Sequence, residues 1–131
     1  MPSLHTYDYA IVRVVPRVDR GEFVNAGVIL SCAAAGFLPA FIELDEARVL
    51  ALDPRADLDT LRAGLATLPV ICAGGDSAGP VGRLSLRERF DWLVAPRSSS
   101  IQTSPVHTGR CGDLPAAAEH LMQRMVRRPA P

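Results

Sequence analysis

Apolar and polar positions alternate with a period of two over the first third of the chain, then shift to a helical spacing. Tyr7 to Val15 (YDYAIVRVV) is rich in β-branched and aromatic side chains, and Pro16 closes it, so it reads as a strand. Phe23 to Cys32 (FVNAGVILSC) reads as a second strand. The connection PRVDRGE carries Gly21 where a turn or bulge needs it. Ala35-Gly36 marks the next turn, and Phe37 to Leu44 completes an antiparallel meander. In the second strand Val24, Ala26, Val28, Leu30 and Cys32 form an unbroken apolar set, which predicts that all of them face the core. Asn25 and Gly27 fall in the middle of the other, mixed set. Arg13 shares its face of the first strand with Tyr7, Tyr9 and Ile11.

Asp45 to Leu52 reads as a short helix that Asp53-Pro54 breaks. Asp57 to Leu68 follows, with Leu58, Leu61, Leu65 and Leu68 on one stripe and Pro69 placed to end or kink it. Ala73 to Gly82 (AGGDSAGPVG) reads as a loop, either a flexible lid or a connector. Ser85 and Glu88 make a capping box for a helix that buries Leu86, Phe90 and Leu93 and stops at Ala95-Pro96. Ser99 to Val106 is the fourth strand, which Pro105 restricts to a sheet edge. Asp113 opens the last helix, with Pro115 in its first turn and Leu114, Ala118, Leu121, Met122 and Met125 on its apolar stripe. Arg127-Arg128 sit at its C-terminal end, where cations suit the helix dipole. The order βββ-αα-α-β-α predicts an α+β fold in two layers. Its sheet is antiparallel with three to four strands, and helices pack mainly on one face. The 131 residues suit one domain, residues 1–131, with its ordered core over residues 6–127.

Composition narrows the chemistry. With 48% hydrophobic and 21% charged residues the chain is globular. Its 14 basic residues balance 14 acidic ones, so net charge gives no drive toward nucleic acid or membrane. All 14 basic residues are arginine, which excludes a Schiff-base lysine and a phosphate-loop lysine. No apolar run reaches the roughly 18 residues of a membrane span. Cys32, Cys72 and Cys111 form no CxxC pair, and the first residues lack a signal-peptide pattern. Reduced, mostly buried thiols in a cytoplasmic protein are expected, with neither a zinc site nor a cofactor.

Two stretches concentrate polar chemistry. Arg83 to Gly109 holds four arginines, seven Ser/Thr hydroxyls and one histidine. Arg83 and Arg87 lie one helical turn apart; Arg97, Ser98, Thr103 and His107 follow. Converging guanidinium and hydroxyl donors recognise phosphate or carboxylate. The competing reading pairs Arg87 with Asp91, lays Arg89 along Phe90 or Trp92, and buries Trp92 in the core. His107 has Ser104 near it in sequence, but there is no GxSxG elbow and no evident orienting acid, so a loop histidine bonded to backbone is expected. The second stretch is Arg13, Arg20, Gly21, Glu22, Asn25 and Gly27 in the first hairpin. An arginine on a strand needs water or an acid, and Glu22 is the expected partner of Arg13. Asn25 is expected exposed.

The segments RGEFVNAGVIL, ICAGG and GPVGRLSLRERFDWLVAPRSSSIQTSPVHTG, with the short C-terminal helix, resemble the bacterial family catalogued as domain of unknown function 3037 (DUF3037). The resemblance runs from Tyr7 to Val126. It implies no particular activity. It does imply a small stand-alone cytosolic protein, often encoded beside a HipA-like kinase, and hence an accessory or partner role. The family's characteristic positions fall on Arg13, Arg20, Gly21, Glu22, Asn25 and Gly27 in the hairpin. In the later stretch they fall on Arg83, Arg89, Arg97, Gln102, Thr103, His107 and Thr108.

The leading expectation is a non-enzymatic binding or partner domain. Arg83, Arg87 and Arg97 would contact an anion, with Ser98 and Thr103 as neutral donors and His107 beside them. Arg13, Arg20, Glu22 and Asn25 would shape the adjoining sheet face, all in one concave patch. The ligand would bear phosphate, or the partner would be the HipA-like kinase. The alternatives are a small hydrolase or nuclease-like enzyme using His107 with Glu22 or an arginine-bound phosphate, and a nucleic-acid-binding accessory protein. Residues 83–110 hold five arginines against Glu88 and Asp91, but few aromatics to stack on bases, which argues against nucleic acid. Free sheet edges leave a homodimer open.

Overall fold

The computed structural model describes residues 3–131. Its centre is strand β1 (His5–Val14), which is hydrogen-bonded on both sides. β2 (Val24–Ser31) lies on one side of it, followed outward by β3 (Ala40–Ile42). On the other side β4 (Ile101–Thr103) pairs with Val12–Val14 and β5 (His107–Cys111) pairs with His5–Tyr9. All of these pairings are antiparallel, so the molecule is an α+β protein built on a five-stranded sheet.

The meander is shaped by a bulge. Ile11 faces Val28 and Val12 faces Gly27, but Arg13 faces Asn25. Ala26 is therefore the extra residue, and a bulge of this kind turns two consecutive side chains to the same side. The apolar set predicted to share one face is split at this point. Val24, Ala26 and Ile29 belong to one buried cluster, while Val28, Leu30 and Cys32 belong to another on the opposite face. Period-two counting fails across an inserted residue. Gly27 sits at the bulge because a Cβ there would run into the Phe41 carbonyl of β3.

Three helices cover the first face. α1 (Glu46–Leu52) is capped by the Asp45 carboxylate, which accepts from the Arg48 amide. α2 (Leu58–Ala73) is capped by Asp57 and buries Leu61, Leu65 and Leu68. α3 (Leu86–Leu93) carries the predicted Ser85–Glu88 capping box and buries Phe90 and Leu93. Burying a side chain such as Phe90 stabilises the fold by roughly 1.5–3 kcal/mol. Pro69 does not end α2: the helix continues to Ala73 because its last turn buries Ile71 and Cys72. The opposite face is covered by α4 (Leu114–Leu121) and the π-helical turn Met122–Val126 that extends it. Leu114, Ala118, Met122 and Val126 pack there on Ile11, Val28 and Leu30.

The glycine-rich segment is a compact connector. Asp76–Arg83 forms 3-10 turns kinked at Gly79, and the Gly75 amide donates to the Gly82 carbonyl at 2.9 Å. Arg89 donates to the carbonyls of Leu84 and Cys72, which ties the ends of α2 and α3 together. Among the described residues no helix is long and apolar enough to cross a membrane.

Candidate functional site

The segment read as one edge strand from Ser99 to Val106 is two strands joined by an offset. β4 stops at Thr103, Ser104 bonds to Ile11, and β5 begins at His107. Pro105 lies in the offset, where a residue without an N–H interrupts least. His107 therefore stands on a strand, opposite Tyr9, and not in a loop. It is exposed, and its ring lies 5.5 Å from the Tyr9 ring.

The register builds a row of polar side chains across three strands. Arg13 of β1 faces Asn25 of β2 on one side and Gln102 of β4 on the other. Alternation places the three on the face that α4 covers over β2, beyond the end of that cover. Asn25 is half-buried and donates through Nδ2 to the Met125 carbonyl at 2.8 Å. Its Oδ1 and the Arg13 Nε are buried without a hydrogen-bond partner among the described residues. Arg13 does not pair with Glu22. Its guanidinium lies over the Phe23 ring, 4.1 Å from the centroid. Glu22 instead pairs with Arg20 at 2.5 Å, because the two sit on the same turn, and this bond holds the Glu22 carboxyl below its ordinary range.

Beyond Gln102 the sheet ends, and the turn after α3 meets it. Val94, Pro96 and Arg97 from that turn, with Gln102 to Pro105, line a cleft of about 330 Å3. Arg97 lies over the Trp92 ring at 4.3 Å and donates to the Trp92 carbonyl at 2.5 Å. Trp92 is thus a platform, 41% exposed, and not the core residue expected. Thr103 donates to the Val94 carbonyl at 3.4 Å, so its hydroxyl hydrogen is engaged within the fold. Ser98 is exposed beside Arg97.

The remaining predicted contacts lie elsewhere. Arg87 pairs with Asp8 at 3.2 Å and with Asp91 at 3.4 Å. Thr108 donates to the same Asp8 at 2.8 Å. Val12 and Val14 place the even positions of β1 on the α1–α3 side, so Asp8 and Arg87 are separated from Arg13 by the sheet. Arg83 is exposed at the end of the 3-10 segment. The predicted single patch is therefore divided. Arg13 stands opposite Gln102 in register and Arg97 lines the cleft with Gln102 at the sheet edge, whereas Arg83 and Arg87 belong to the α1–α3 side and Arg20 is neutralised by Glu22.

Arg13 and Arg97 share two properties. Neither forms a salt bridge among the described residues, and each guanidinium carbon lies over an aromatic ring. A ring face beneath a guanidinium attracts the cation without using up its N–H donors. Neither platform was legible beforehand: Phe23 reaches Arg13 only across the hairpin, and Arg97 folds back on Trp92 only because the chain turns at Pro96. Among the described residues no group of three or more His, Cys, Asp and Glu is placed to hold a metal ion. The family model described as "Protein of unknown function (DUF3037)" matches residues 9–126, and the chain belongs to that family. No curated protein and no solved structure matches the chain.

Proposed function

We propose that this member of the DUF3037 family is a non-enzymatic binding domain that takes an anionic group of a partner between Arg13 and Arg97, with Gln102 between them. One observation carries this reading: both guanidiniums lie over aromatic rings and lack internal carboxylate partners among the described residues, and Gln102 stands opposite Arg13 in register while lining one cleft with Arg97. An arginine fork aimed at a carboxylate or phosphate gives charge-assisted bonds roughly twice as strong as neutral ones. Stacking lowers the entropy lost when the anion arrives. The partner is the HipA-like kinase that the family resemblance associates with such chains, and the anion is a phosphate or carboxylate on its surface.

The test is association of the full chain with that kinase-like protein at micromolar concentration, followed as salt is raised. Binding that weakens with salt and is lost in the Arg13→Gln, Arg97→Gln double variant supports the reading. Arg20→Gln should leave it unchanged, since Arg20 is spent on Glu22. Equal binding by the double variant overturns it.

A further inference from the structure

A groove of about 520 Å3 lies on the helical side of the molecule, lined by Ala63, Ala66 and Val70 of α2, Ala78 of the 3-10 segment and Trp92 of α3. Among the described residues no charged one lines it. Val70 and Trp92 are 40% and 41% exposed, so its walls keep apolar surface in water. Its size falls in the range of sites that enclose a small ligand or a few side chains. The alanines keep the floor open, because nothing larger than a methyl group projects from those positions.

The wall formed by Trp92 is also the ring on which Arg97 rests. Among the described residues Arg97 makes one side-chain hydrogen bond, to the Trp92 carbonyl, which leaves its other guanidinium hydrogens to donate. A cation without a carboxylate partner among the described residues thus stands one ring away from an uncharged groove that is mainly apolar, with Thr67 and Ser77 as its hydroxyls. This pairing selects a ligand that carries both features close together.

We infer that the groove and Arg97 together dock a partner peptide segment bearing an aliphatic or aromatic side chain within a few residues of an aspartate or glutamate. The apolar side chain enters between α2 and Trp92, and the carboxylate reaches the fork of Arg97. This deepens the anion-recognition reading and rests on its assignment of Arg97. It follows the general mode in which apolar anchors give affinity and a placed charge gives orientation.

Selection of phage-displayed random peptides on the full chain tests it. Enriched sequences should carry an apolar residue near an acidic one. A synthetic copy of the leading peptide should bind wild-type protein and weaken by about tenfold or more in Ala66→Arg and in Arg97→Gln. Ala66 is exposed on α2 and arginine is a good helix former, so the variant folds; circular dichroism checks this. Val70→Glu is a second block, placing a like charge beside the peptide's acid. Absence of enrichment overturns the proposal, as does enrichment of peptides lacking either feature or undiminished binding by Ala66→Arg and Val70→Glu. Concentration-dependent self-association lost in Ala66→Arg also overturns it, since the occupant would then be a second copy of this chain. Salt-sensitive binding of the kinase-like protein that persists while the groove variants change nothing would sink this inference alone.

Discussion

The Ile11 amide donates to the side-chain oxygen of Ser104 at 2.9 Å, and the Ser104 amide donates back to the Ile11 carbonyl at 2.8 Å. A hydroxyl thus stands where a backbone carbonyl would close the ladder, and its own hydrogen goes to the Pro105 carbonyl at 2.9 Å. This is the joint between β4 and β5, and Ser104 is buried there at 5% exposure. Ser104→Ala leaves the Ile11 N–H buried and unpaired, at a cost of about 1–3 kcal/mol. Urea denaturation should show a lower midpoint with an unchanged slope. An unchanged midpoint would refute this account of the joint.

That joint also shows where sequence reading stops. Pro105 was enough to predict an edge strand, because a missing N–H is a local fact. The offset was not, because it depends on Ser104 finding Ile11, 93 residues away in the chain. The Ala26 bulge escaped for a related reason: a uniformly apolar alternation gives no sign that its second half faces a different layer. Helix starts at Asp45, Asp57, Ser85 and Asp113 were legible, since caps bond within a few residues. At the candidate site the arginines could be named, but not their partners. Glu22 closes on Arg20 because proximity in a turn beats reach along a strand.

Gly109 faces Tyr7, whose ring lies across it, so that a Cβ at 109 would sit 2.5 Å from the phenol oxygen. Burial raises the Tyr7 phenol above its ordinary value, with smaller contributions from Cys111 and Tyr9. Gly109→Ala must displace the ring toward water. The expected result is a Tyr7 titration that falls back toward the ordinary phenol value, read by ultraviolet absorbance, with a stability loss of about 1–3 kcal/mol. A titration identical to wild type would show that the ring does not need the glycine.

The cysteines should separate by reactivity. Cys72 is buried at the end of α2, and burial pushes its thiol up to about 12, against a smaller opposing effect of Arg89. At pH 8 it is neutral, and a disulfide reagent must wait for the helix end to open. Cys111 on β5 is only partly covered. A thiol-exchange assay on native protein should therefore label Cys111 first and Cys72 only on unfolding, with Cys72→Ala leaving the fast phase intact. A fast phase lost in that variant contradicts the assignment.

The C-terminus is tied to the β3–α1 connection by carboxylates, and acid should release it. Arg127 donates to Glu43 at 2.6–3.1 Å and also pairs with Glu119, while Arg128 donates to Asp45 at 2.6 and 3.0 Å. These bonds, opposed by a smaller desolvation effect, hold the Glu43 and Asp45 carboxyls below their ordinary range. Because the folded values lie below the unfolded ones, about 4.3 for Glu and 3.9 for Asp, the contribution is complete above that range. It is lost as pH falls through the depressed folded values. The pairs are exposed, so the loss should loosen the tail and not unfold the sheet. Carboxyl-carbon NMR titration should place both groups below ordinary carboxylates. Arg127→Gln should move Glu43 back up while leaving Asp45, held by Arg128, where it was. If Glu43 titrates at its ordinary value in wild-type protein, the tie does not form in solution.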